Sequence, residues 1–169
     1  MLKFTRADGP EVEIPIDKVV RIRRSIAGEG EPHARSRIDW VYASFVREPP
    51  VDVAKAARAE YPKLAQLTVP DKTFVWFKAA EAIGPIGLVP SHKVEGINSS
   101  LIIGGKRQFV RETHEEVARV IDEGDGKALP IPQDAHFGTT IDIFASVPGL
   151  KGKIENWEEP DAYGDIPSV

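Results

Sequence analysis

The sequence predicts an α+β protein: two related small β-rich units, each closed by a helix, followed by an extended C-terminal arm. Three observations predict it. Short alternating strand patterns bounded by Gly, Pro and Asp recur ahead of two helix-start signals. Two stretches of chain repeat in the same order. Beyond Gly124 the composition turns to Gly, Pro and acidic residues, so that residues 125–169 hold eight acids and three bases while the chain before them is balanced. The boundaries drawn from these signals are 1–62 for the first unit, 72–124 for the second and 125–169 for the arm.

The repeat rests on two windows. Gly9, Pro10, Pro15, Lys18, Val19 and Ile22 match Gly84, Pro85, Pro90, Lys93, Val94 and Ile97 at an offset of 75. Phe45-Val46-Arg47-Glu48, then Val53-Ala54, match Phe109-Val110-Arg111-Glu112, then Val117-Ala118, at an offset of 64. The two offsets together predict a tandem duplication whose first copy carries eleven extra residues between Ile22 and Phe45, placed in a loop or hairpin tip where insertions are tolerated.

Taken in order, Leu2–Arg6 and Glu11–Ile14 alternate around Asp8-Gly9 and predict a β-hairpin. Pro15 ends its second strand, and Val19 and Ile22 belong to a short turn or a strand. Val20–Arg24 and Arg35–Trp40 can pair as a long hairpin around Gly28-Glu29-Gly30. Pro49-Pro50 opens a helix, because proline is tolerated in a first turn, with Val53, Ala56 and Ala57 as its apolar stripe. Tyr61–Pro70 is a connector, and Thr73–Phe77 is the most apolar strand. Leu101–Ile103 and Gln108–Val110 flank a tight Gly104-Gly105 turn. Thr113 and Glu116 then form a capping box for a helix with Val117, Val120 and Ile121 on one face. Thr139–Phe144 is a last strand candidate.

The order of hairpin, Pro-x-x-Lys-Val-x-x-Ile, strand, glycine turn, Phe-Val-Arg-Glu strand and capped helix resembles the small FlbD-type flagellar and swarming regulators and, more distantly, the LytTR DNA-binding domain. The resemblance covers Phe4–Arg58 and Trp76–Asp122. It implies compact β-units closed by a capped segment, and no binding residue is carried across with it.

Composition narrows the chemistry. With no cysteine among 169 residues, disulfides, thiolate nucleophiles and sulfur-bound zinc are excluded. No apolar run reaches the roughly 18 residues a membrane span requires, and the opening Met1–Gly9 has no apolar signal core, so no signal peptide and no membrane partner are expected. A cytoplasmic site, or a place in a particle assembled inside the cell, is the expected location. His33, His92, His114 and His136 show no metal spacing. His114 reads as an exposed first-turn residue and His92 as a polar turn residue. Gly104-Gly105-Lys106 lacks the phosphate-loop spacing and reads as a hairpin turn, while Ser99-Ser100 and Thr139-Thr140 read as polar loop residues. No cofactor and no metal are expected.

Two features point to partners. Arg21, Arg23, Arg35 and Arg37 on the paired runs would form a basic ribbon of a size a nucleic-acid groove accepts. Glu29, Glu31 and Asp39 interleave with them, and the pI near 5.6 opposes such binding. In the arm, Ile154, Trp157, Tyr163 and Ile166 lie on a stretch too proline-broken to make its own core, so they need a surface, on their own chain or on a neighbouring subunit. The resulting expectation is not an enzyme but a structural or protein-binding component of a larger assembly, such as a virion or other multi-subunit particle, with protein subunits as partners in a homo- or hetero-oligomer. The alternative is a nucleic-acid-binding regulator using the arginine ribbon. An unrecognised hydrolase comes third.

Overall fold

In the computed structural model, residues 1–92 and 96–134 are described. The chain mixes helix and sheet in an α+β arrangement, as the patterning predicts. Strands β1 (Leu2–Thr5) and β2 (Glu11–Ile14) form the first hairpin, and a 3-10 turn over Ile16–Lys18 leads to β3 (Arg21–Arg24). Then come β4 (Ser36–Asp39), β5 (Ala43–Val46) and α1 (Pro50–Glu60). The second half runs β6 (Ala65–Thr68), β7 (Phe74–Phe77), a 3-10 turn over Ala79–Glu81 and β8 (Ala82–Ile86). A further 3-10 turn at Pro90–His92 precedes β9 (Ser99–Ile103), β10 (Lys106–Val110), α2 (His114–Glu123) and the two-residue β11 (Lys127–Ala128).

The described chain divides into two compact units. The first holds Met1–Gln66 and Phe74–Lys78. Its larger sheet has the order β5-β4-β3-β7-β6, with β3 antiparallel to both β4 and β7. In sequence β7 sits with the second unit, at 72–124; in the structure Ile22 pairs with Trp76 and Arg23 with Val75, which puts this apolar strand in the first. The core gathers Ile14, Val19, Ile22, Ile38, Val46, Val53 and Trp76, with α1 burying Val53, Ala54 and Ala57 against it. Ala56, expected on that stripe, is only partly buried. Strand alternation explains the sheet's two faces: Ile22 and Ile38 turn to the core, so their neighbours Arg21, Arg23, Arg37 and Asp39 share the opposite face.

The second unit holds Leu67–Thr73 and the described chain from Ala79 onward. Its sheet has the order β10-β9-β8-β11, closed by α2, which buries Val117 and Ile121. Thr113 caps this helix, its hydroxyl accepting from the Glu116 amide at 3.3 Å. Gly104 and Gly105, at φ 56° and 83°, make the tight β9–β10 turn in a left-handed conformation that favours glycine. The packed fold continues past Gly124. β11 lies parallel to β8, and the Leu129 amide donates to the Gly84 carbonyl at 2.7 Å.

Both halves show the order strand, strand, 3-10 turn, strand, hairpin, helix, while the 3-10 turn at Pro90–His92 and β11 have no counterpart in the first half. The offset differs from the expected one. The turns begin at Ile16 and Ala79, 63 apart, and the helices at Pro50 and His114, 64 apart. The one extra residue falls at the second hairpin's tip, where Asp39 faces Ala43 but Ile102 faces Arg107. The eleven-residue insertion is therefore absent, because the matching Gly-Pro and Pro-x-x-Lys-Val windows pair β2 with β8, which occupy different places in the order. Phe45 and Phe109 do correspond, on β5 and β10.

Hydrogen bonds account for the repeated Phe-Val-Arg-Glu. In the first unit the Glu48 carboxylate accepts from the Thr5 amide at 2.8 Å, the Arg47 amide donates to the Thr5 carbonyl, and the Arg47 side chain reaches the Ala7 carbonyl. In the second the Glu112 carboxylate accepts from the Thr68 amide at 2.9 Å, the Arg111 amide donates to the Thr68 carbonyl, and the Arg111 side chain reaches the Pro70 carbonyl at 3.0 Å. The motif clamps Thr5 at the end of β1 and Thr68 at the end of β6, satisfying main-chain groups at a sheet edge.

Candidate functional site

The first unit carries an open cleft at the β4–β5 hairpin. Strand β4 ends at Asp39, and a three-residue tip, Trp40-Val41-Tyr42, turns the chain into β5. The tip is closed by the Trp40 amide donating to the Tyr42 carbonyl at 2.9 Å. The Trp40 indole stacks edge-to-face on Tyr42, with ring centres 4.6 Å apart, and its Nε1–H donates to Ser44 Oγ at 2.8 Å. Val41 and Tyr42 are 66% and 64% exposed, so two large apolar side chains stand in water where a turn is ordinarily polar. Trp40, Tyr42 and Ser44, with Ala7, Val12, Phe45 and Gly30, line a space of about 550 Å³.

One wall of the cleft is a loop, and buried charge holds it. Arg21 and Arg23 are 1% and 2% exposed. Glu29 Oε1 and Oε2 accept from the two Arg23 terminal nitrogens at 2.7 and 2.8 Å, and Glu29 also accepts from the Ile26 amide and from Arg37. Asp39 accepts from Arg21 Nε and from Arg37 Nε, each at 2.8 Å. The result is an alternating chain, Arg21, Asp39, Arg37, Glu29, Arg23, lying on one face of β3 and β4. Burial by itself would raise both carboxyls. For Glu29 the bonds and attraction of Arg23, then the Ile26 amide and Arg37, hold the carboxyl below the ordinary range. For Asp39 the attraction of Arg21 and Arg37 and their hydrogen bonds do the same. Anchored by Glu29, the loop lays Gly30 flat on the Phe45 ring, so close that a Cβ would strike it, and brings Glu31 to the cleft edge.

This arrangement changes the meaning of the arginine ribbon. β3 and β4 pair as the sequence suggests, with Arg23 opposite Arg37, but the guanidinium groups are spent on interleaved acids that composition alone counts only as opposition. Arg35 is exposed, yet it stands apart from that chain of ion pairs. Ile154, Trp157, Tyr163 and Ile166, together with the strand candidate Thr139–Phe144, lie outside the described residues. No sequence expectation pointed to the cleft; an aromatic, a valine and an aromatic between two strand patterns is the signal that could have marked its tip.

The second unit assembles a constellation with no sequence signature. His114 Nδ1 lies 2.7 Å from Ser99 Oγ, and His114 Nε2 lies 2.7 Å from Asp134 Oδ1. Neither Ser99 nor Ser100 is a loop residue: both are fully buried in β9. His114 is partly buried and bonded at both ring nitrogens rather than free in a first turn. The set names a hydrolytic triad, but its geometry opposes one. Serine bonds to Nδ1 and the acid to Nε2, the reverse of the serine-protease order, and a fully buried Ser99 gives a substrate carbonyl no approach. Asp134 also accepts from the Leu88 amide at 2.9 Å, so the three side chains tie β9, α2 and the chain at 134 together. His92, read from sequence as a polar turn residue, does sit in a turn, but is 8% exposed and packed on Phe109. Burial first, then the Arg107 charge, pushes its pKa down to about 4 and keeps the ring neutral. Among the described residues, no group of three or more His, Asp and Glu side chains could hold a metal ion, and no helix is long and apolar enough to cross a membrane.

No protein-family model, curated protein or solved structure matches this chain.

Proposed function

We propose that the chain is a non-enzymatic, protein-binding component of a larger assembly, and that it engages a partner through the β4–β5 tip and the cleft beneath it. The observation that carries this reading is the exposed Val41 and Tyr42 on a tip fixed from inside by Trp40 and Ser44. Exposed aromatic side chains on a rigid support are the residues that anchor interfaces, because little rotamer freedom is lost when they are covered. The cleft presents no nucleophile paired with a base, and the sealed serine, histidine and aspartate in the second unit serve packing. The arm's Trp157 and Tyr163 are proposed as a second anchor for the same assembly.

The mass of the native particle tests this. Light scattering on the chain isolated under gentle conditions is expected to give a particle well above 18.6 kDa. Val41→Ser with Tyr42→Ala, or deletion of 150–169, should lower that mass while circular dichroism stays unchanged. A particle at monomer mass, or one indifferent to all of these changes, contradicts the reading.

A further inference from the structure

Resting on that reading, we infer that the cleft's occupant is an extended, proline-containing peptide segment that carries a lysine or arginine. Four features of the first unit lead there. From Phe45 onward the outer edge of β5 is already taken, because the Ala7 amide donates to the Phe45 carbonyl and the Arg47 amide to the Thr5 carbonyl, each at 2.9 Å, and Arg6 bridges Val46, so that only the two residues Ala43 and Ser44 precede the covered stretch. A partner therefore cannot add a strand at this place, and recognition must run through side chains rather than a main-chain ladder.

The cleft floor suits a ligand that needs no ladder. A polyproline II segment makes no internal hydrogen bonds and presents ring faces to aromatic side chains. Tyr42 and Trp40 stand at 66° to one another, forming a slot with one exposed ring. Since Ser44 accepts the indole N–H, Trp40 presents carbon alone to a ligand. About 550 Å³ is a space for a few residues, and four residues of polyproline II span only about 12 Å. An amphipathic helix, about 10 Å across with its side chains, asks for a longer trough.

Charge sets the remaining preference. The cleft is lined by Arg6, Asp8 and Glu31, one base against two acids. Arg6 is bonded to Asp8 at 2.8 Å, which leaves the exposed Glu31 carboxylate as the acid a ligand cation can meet. That favours a basic peptide and disfavours an acidic one.

Calorimetry with the full chain and synthetic octapeptides tests the inference. The probes are a leucine-proline repeat ending in arginine, the same peptide ending in glutamate, the arginine peptide with every proline replaced by alanine, and an amphipathic helical peptide. The arginine-proline peptide is expected to bind at least about fivefold tighter than its glutamate counterpart, with Glu31→Lys reversing that order. Tyr42→Ala should weaken it by about tenfold or more. Equal binding of the alanine peptide, preference for the helical peptide, or indifference to Tyr42→Ala overturns the inference. If no proline peptide binds while the particle mass still depends on Val41 and Tyr42, the occupant is wrong and the docking surface stands. If neither responds, both fall.

Discussion

Arg23 is 2% exposed and carries a full charge, a state tolerable only because Glu29 meets it with both carboxylate oxygens. Taking one member away leaves the other buried and unpaired, so Glu29→Ala should cost about 3–5 kcal/mol in chemical denaturation. Replacing the pair together, Arg23→Met with Glu29→Leu, is expected to recover most of that loss, since a well-packed apolar pair needs no counter-charge. A double variant as unstable as the single one would mean that the network does more than neutralise itself. The same residues show where sequence reasoning reaches its limit. Alternation on β3 and β4 put Arg21 and Arg23 on one face correctly, but whether that face meets water or a loop depends on Glu29, six residues past Arg23 in a segment with no periodic pattern. His114 is the parallel case: its partners lie 15 and 20 residues away on either side, and no local rule joins them.

At the scale of elements, the Phe-Val-Arg-Glu strand is the correspondence between the two halves that sequence shows clearly, four identities in a row whose Arg and Glu side chains make the contacts of the clamp. Glu48→Ala and Glu112→Ala should each leave a strand amide without its acceptor and cost about 1–3 kcal/mol, read by denaturant midpoints. Glu48→Gln and Glu112→Gln keep an acceptor oxygen and should cost less; equal loss in the glutamine variants would refute the clamp. The earlier elements of the repeat were illegible for a physical reason. At an offset of 63 the matching strands share only scattered identities, Thr5 with Thr68, Val12 with Val75 and Ser36 with Ser99, while Gly9 at φ 120° is replaced by Lys72 at φ 72° and the 3-10 turns at Ile16–Lys18 and Ala79–Glu81 share none. Gly-Pro and Pro-x-x-Lys-Val recur in another register because strand ends and 3-10 turns draw on the same few residues. The helices were readable from Pro50 and Thr113, whose roles are local. β11 was not, as two residues beside a parallel strand leave no alternating pattern.

For the whole molecule, acid is the informative stress. His92 keeps its ring neutral in the fold down to about pH 4, against an ordinary value of 6.5. The unfolded chain therefore binds this proton first as pH falls. The stability it confers is complete above about pH 6.5, declines between there and 4, and is lost below, a change of about 3 kcal/mol at most. His92→Gln should flatten that limb of the stability curve; an unchanged slope contradicts the burial account. Glu29 and Asp39 act lower. Their folded values lie below 4.5 and 3.8, so their contribution is present above those values and disappears as pH drops through the lower folded ones. The α+β class and the expectation of a partner came from composition and patterning, whereas the cleft itself needed β4, β5 and the Glu29 loop brought together in space.

The claim that matters most is that the β4–β5 tip is covered by another protein when the chain is at work. A photo-crosslinking residue introduced in place of Tyr42, and separately in place of the exposed Asp17, measures this in the native particle by mass spectrometry of the linked peptides. The account predicts one dominant intermolecular peptide linked at 42 and little at 17. Equal yields at the two positions, or no protein adduct at 42, would contradict it.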